Sequence, residues 1–219
     1  MEIHRRLDDE LDVLRDRVLV LGGEAEGALR RSMRALAERD GDAARAVLEN
    51  DAAIDRLEVE IDRLCIDVLA LRQPAARDLR FVVAVAKATP ILERVADHAC
   101  NIARAALDLI EEPEMRSAPE LAQMAEAASE MLSSALDAFT RGDAPAARRI
   151  IALDARINEL YTRAFRGLIE TMSHDPTTTG RAARLLLVAK HLERVGDYVT
   201  DICELTVYMT EAEVIKHSH

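Results

Sequence analysis

Apolar residues recur every three or four positions along the chain. Leu7, Leu11, Leu14, Val18 and Leu21 form one run, and Ile54, Leu57, Ile61, Leu64, Val68 and Leu71 form another. Residues spaced this way share one side of an α-helix, so each run predicts a long helix with a narrow apolar stripe. The strict alternation of a half-buried strand is absent. Breakers fall between the runs. Asp40-Gly41-Asp42 predicts a loop with Asp42 as helix N-cap, and Gln73-Pro74 predicts a tight turn. Glu112-Pro113 to Pro119 predicts a longer connection, and Arg141-Gly142-Asp143 and Ser173 to Gly180 two more. The pattern is all-α: six long antiparallel helices at about 4–39, 42–72, 75–111, 118–140, 143–172 and 179–210. Gly22-Gly23 predicts a bend in the first helix. Pro90, which cannot donate a hydrogen bond to Ala86, predicts a kink in the third.

The chain also repeats itself. Asp51-Ala-Ala-Ile54-Asp55-Arg-Leu57 matches Asp154-Ala-Arg-Ile157-Asn158-Glu-Leu160 at an offset of 103 residues. Leu92-Glu93-Arg94-Val95-Ala96-Asp97 matches Leu192-Glu193-Arg194-Val195-Gly196-Asp197 at an offset of 100. The difference falls in the loops around Pro74 and Pro176, where insertions are tolerated. Two tandem, sequence-related three-helix bundles follow, over 1–112 and 118–211, with a frayed tail over 212–219 that includes His217 and His219.

Acidic groups recur within this pattern. Glu93, Asp97 and Asn101 in the third helix, and Glu193, Asp197 and Asp201 in the sixth, are spaced four apart. Each set therefore shares a face, rotating about 40° per step. The second and fifth helices add Asp51 with Asp55, on the flank of the Ile54/Leu57/Ile61 stripe, and Asp154 with Asn158. Asp51 lies 23 residues before Pro74 and Asp97 lies 23 after it, so an antiparallel hairpin brings them to one height. Each half then gathers four carboxylates and one amide. Four carboxylates in a small volume repel unless a cation compensates. Oxygen donors suit hard ions such as Mg²⁺, Mn²⁺, Ca²⁺ or iron.

Charge and composition narrow the classes. The net charge is −11, and the two acidic sets account for eight of those charges. A non-specific nucleic-acid binder needs a basic face, so no nucleic-acid partner is expected. Charge-free runs reach only about six residues, too short to span a membrane. Cys65, Cys100 and Cys203 lack metal-site spacing and are expected to pack as small hydrophobes in a reducing compartment.

Other acidic pairs, including Asp8/Asp12, Asp12/Asp16 and Glu58/Asp62, are read as solvated surface. His98 and His191 are read as polar helix-surface residues beside the acidic runs. There is no Glu-x-x-His, nucleophile elbow, phosphate-cradling glycine loop or Cys-x-x-Cys. A hydrolase using carboxylate-bound metal as Lewis acid is therefore the remote alternative, and no catalytic residue is expected.

The motifs resemble those of the PhoU family. The first repeat carries the likeness in Leu69-Ala-Leu-Arg-Gln-Pro74-Ala-Ala-Arg-Asp78-Leu-Arg80-Phe81 and in Leu92 to Ile102. The second carries it in Val188 to Cys203, and the likeness covers nearly the whole chain. The resemblance implies two three-helix bundles and multinuclear metal sites of Mg, Mn, Fe or Zn. The ligands it implies are Asp51, Asp55, Glu93 and Asp97 in one half and Asp154, Glu193 and Asp197 in the other, with Asn101 and Asp201 extending the runs. Asn158, where an acid is expected, and Pro90 depart from the pattern. The resemblance also implies a cytoplasmic, non-catalytic regulator of phosphate uptake that restrains the phosphate-starvation response. Its partners are then the ATPase of a phosphate ABC transporter and a sensor histidine kinase, which recruit it to the inner face of the membrane. A PhoU-like regulator of a low-affinity phosphate permease is the alternative, and long amphipathic helices with flanks to cover suggest a homodimer.

Overall fold

A computed structural model describes residues 2–115 and 118–215. Its elements are α1 (Glu2–Glu38), α2 (Gly41–Arg72), α3 (Ala76–Ile110), α4 (Pro119–Arg141), α5 (Ala144–Ile151), α6 (Asp154–His174) and α7 (Thr179–Glu211), with a 3-10 turn at Pro176–Thr178. No strand occurs among the described residues. The tail histidines fall outside those residues. Ala212 turns into the left-handed region at φ 58° and ends α7.

The helices follow from their stripes and ends. Leu7, Leu11, Leu14, Val18 and Leu21 are buried along α1, as are Ile54, Ile61, Cys65 and Val68 along α2. The α2 N-cap is Asp40 rather than the expected Asp42. The Asp40 carboxylate accepts from the backbone N–H of Asp42 and Ala43, both at 3.0 Å, and Asp42 pairs instead with Arg45 at 2.6 Å. Gln73 closes α2 in the left-handed conformation ahead of Pro74. Gly142, at φ 64°, closes α4, and the Asp143 carboxylate caps α5 through the Ala146 N–H at 2.9 Å.

The expected single helix over 143–172 is two helices. At Ala152 and Leu153 the backbone stays in the right-handed helical region. The Leu153 N–H bonds Ile150 O, at 2.9 Å, in a three-residue turn. The register shift turns Asp154, the first residue of α6, inward to a buried position. No glycine or proline marks the break.

Helices α1, α2 and α3 pack on one another, as do α4, α6 and α7 with the short α5. The halves meet where α3 lies against α7 and α1 against α4. Arg39 ties the connection down, donating to Ile110 O at 2.8 Å and Glu112 O at 2.7 Å. From the second half, Arg184 pairs with Glu112 at 2.7 Å and Arg181 donates to Pro113 O at 2.8 Å.

Helix α1 runs unbroken through Gly22-Gly23, and α3 unbroken past Pro90. The two glycines have different jobs. A Cβ on Gly22 would stand 2.5 Å from both Cδ atoms of buried Leu136 on α4, whereas one on Gly23 would meet nothing within 4 Å. Gly22 therefore sets the approach of α1 to α4. Gly23→Ala should raise stability by about 1 kcal/mol through helix propensity alone. Gly22→Ala should forfeit that gain and lose about 1 kcal/mol or more to overpacking. Chemical denaturation of the two variants checks this; equal effects would contradict it.

Candidate metal centre

The antiparallel packing of α2 on α3 brings Asp51, Asp55, Glu93 and Asp97 into one groove. Their interaction is electrostatic. Glu93 is pushed up to about 7 by partial burial and by the charges of Asp97, Glu58, Asp55 and Asp51. Asp97 is also raised, by burial and by Asp51 and Asp55, while Arg104 and a hydrogen bond with Glu93 pull it down. Buried Cys100 closes the floor, its thiol donating to Asp51 Oδ1 at 3.3 Å. Burial and that carboxylate push the thiol up to about 12, so it stays protonated. Cys65 and Cys203 are buried and raised to about 12 as well, which makes all three cysteines packing groups.

Two residues around this groove depart from expectation. Glu58 is not simple solvated surface: it stands one turn beyond Ile54 and repels Glu93. Asn101 accepts from Arg104 Nη1 at 2.9 Å, so its amide oxygen is engaged on its own helix.

In the second half the corresponding groups are differently engaged. Asp154 is buried and accepts from Asn158 Nδ2 at 2.7 Å. It fits because residue 196 is glycine: a Cβ there would stand 2.7 Å from Asp154 Oδ1 and 3.1 Å from Ile157 Cδ1. Glu193 pairs with Lys190 at 2.5 Å and Asp197 with Arg194 at 3.3 Å. Asp201 lines a separate groove with Lys87 and Ile91 of α3. The rotation of about 40° per four residues, summed over eight, carries it away from α6. Among the described residues, no three or more His, Cys, Asp or Glu side chains form a ready-made metal group.

The two histidines are not surface residues of separate helices. His98 of α3 and His191 of α7 meet where the halves join, Nδ1 to Nδ1 at 2.8 Å, so one ring donates and the other accepts. Tyr198 stacks on His98 at 5.5 Å between centroids. Burial, His191 and Arg194 push His98 down to about 4, and burial lowers His191. A single helix gives no sign of this pairing, because its partners lie 93 residues apart.

Comparison with known proteins follows the same division of the chain. A family model described as the PhoU domain matches residues 18–106 and again 121–206. The phosphate-specific transport system accessory protein PhoU homolog of Pseudomonas putida is 36% identical over 98% of this chain and 84% of that protein. The Escherichia coli protein of that name is 33% identical over 98% of this chain and 89% of its own length. Among solved structures, PhoU from Pseudomonas aeruginosa superposes with TM-score 0.88 at 34% identity, covering 94% of this chain and 99% of that one. The phosphate transport system regulatory protein PhoU from Streptococcus pneumoniae superposes with TM-score 0.91 at 31% identity, covering 96% and 100%.

The histidine contact generates a pH prediction. The unfolded chain protonates His98 below its ordinary value of 6.5, while the folded one keeps it neutral down to about 4. Stability from this group is therefore lost as pH falls through that window. Allowing for solvent screening of a half-buried ring, the loss is about 1 kcal/mol. Glu93 titrates with the opposite sign nearby, so the comparison is with His98→Asn. Urea denaturation at pH values of about 7 and 5 should show the wild type losing about 1 kcal/mol more than the variant; identical losses would contradict it.

Proposed function

Because the chain belongs to the PhoU family, we propose that it regulates phosphate uptake and restrains the phosphate-starvation response. It does so as a non-catalytic adaptor between the ATPase of a phosphate ABC transporter and a sensor histidine kinase. The observation that carries the reading is likeness over 98% of the chain to accessory proteins of a phosphate-specific transport system, through both repeats. No helix of the described residues is long and apolar enough to cross a membrane, so contact with a transporter falls to the helix faces.

Metal binding is part of the proposal. The first half fits a hard cation in donor type and charge: Asp51, Asp55, Glu93 and Asp97 supply oxygen donors from one groove, and the charges of Asp51 and Asp55 add to burial in opposing the ionisation of Glu93 and Asp97. A bound divalent ion would supply the charge that this groove lacks. The protein's own contribution is to hold the four carboxylates together through α2–α3 packing and to keep the Cys100 thiol protonated beneath them. Neutralising the groove would let a partner approach a surface that otherwise repels acidic chains.

Deleting the gene should leave phosphate-starvation genes expressed at high phosphate, as read by transcript levels. Repression that persists in the deletion strain contradicts the regulatory reading. Affinity capture from cells should recover the transporter ATPase or the kinase. Recovery of a single-component permease without either would favour the alternative.

A further inference from the structure

The two repeats share an acidic frame, and three of the differences between them fall on or beside it. Asp55, Glu58 and Pro90 of the first half correspond to Asn158, Tyr161 and Lys190 of the second. Each of these three changes makes the second half less negative; the opposite change, Asn101 to Asp201, adds a carboxylate that lines a separate groove with Lys87. The five first-half groups Asp51, Asp55, Glu58, Glu93 and Asp97 are all carboxylates. Their counterparts are three carboxylates, an amide and a phenol, joined by the Lys190 ammonium.

The structure places two of the replacements, Asn158 and Lys190, on carboxylates of the frame. The Asn158 amide donates to Asp154 at 2.7 Å. Lys190 Nζ lies 2.5 Å from Glu193 and 5.6 Å over the Tyr161 ring, which holds the ammonium against α6. The side chain of Glu193 is only 15% exposed, so this pair is shielded from salt better than an open surface pair. In the first half no lysine can take that position, because Pro90 stands there, and Glu93 faces carboxylates.

We propose that a hard divalent cation binds in the first half only, and that the second half is a self-neutralised copy in which Lys190 and Asn158 stand in for the ion. The inference rests on the metal-binding reading above. To bind in the second half, an ion would have to displace the ammonium from Glu193 and the amide from Asp154, and would meet fewer carboxylates in return. The proline that departs from the family pattern thus leaves the first half open, and the asparagine that departs from it helps close the second.

Mn²⁺ binding to the full chain, read by equilibrium dialysis with metal analysis and by the Mn²⁺ paramagnetic resonance signal, tests this. Asp97→Asn should weaken binding more than about tenfold, and Asp197→Asn should change it less than about twofold. Circular dichroism confirms that both variants fold. Lys190→Thr combined with Asn158→Asp and Tyr161→Glu should add a second class of sites to the wild-type stoichiometry. Equal losses from Asp97→Asn and Asp197→Asn would overturn the asymmetry while leaving metal binding intact. A folded wild type that takes up no Mn²⁺ would overturn both.

Discussion

The two central helices approach their neighbours through alanine and glycine, and that closeness governs the polar chemistry around them. Ala84, Ala88, Ala96, Ala99, Ala103 and Ala106 are wholly buried along α3, and Ala182 and Ala189 along α7. Helices that touch through methyl groups pack closely, which brings charged residues on their flanks nearer one another. The carboxylates of α2 and α3 act on one another across that packing. Gly196 takes the same device furthest. By giving up even the methyl, it admits the Asp154 carboxylate to a buried place that a Cβ would fill.

One constraint with two outcomes explains the difference between the repeats. In the first half the packing partly buries Glu93 and Asp97 and sets other carboxylates beside them, and both effects raise their proton affinity. In the second half an internal ammonium, a guanidinium and an amide meet the same frame. The sum of charges over the chain hides this. A net charge of −11 read as two equal acidic sites is better described as one concentrated site and one compensated site on otherwise ordinary surface.

The helices, the repeat and the common height of Asp51 and Asp97 were legible because each depends on spacing along the chain. What escaped depends on groups remote in sequence or on subtle backbone choices. The break at Ala152 and Leu153 carries no glycine or proline, since only the hydrogen-bond register changes there. Asp40 displaced Asp42 as N-cap because two acids flank one glycine and either can cap. Glu58 looked like solvent-facing charge until α3 supplied Glu93 opposite it. His98 and His191 have no local signal at all, since the contact exists only once the halves are joined. Gly22 reads as a hinge in isolation and as a contact surface once Leu136 is beside it.

The proton affinity of Glu93 tests the central claim most directly. Carboxyl carbon shifts in metal-free protein, followed by NMR as pH is raised, report it without reference to any partner. Partial burial, together with the charge gathered by α2–α3 packing, predicts a midpoint near 7. Added Mg²⁺ should move that midpoint downward, because a cation favours the ionised carboxylate. A midpoint at the ordinary 4.5, unmoved by Mg²⁺, would mean that the groove stores no repulsion and would contradict the account.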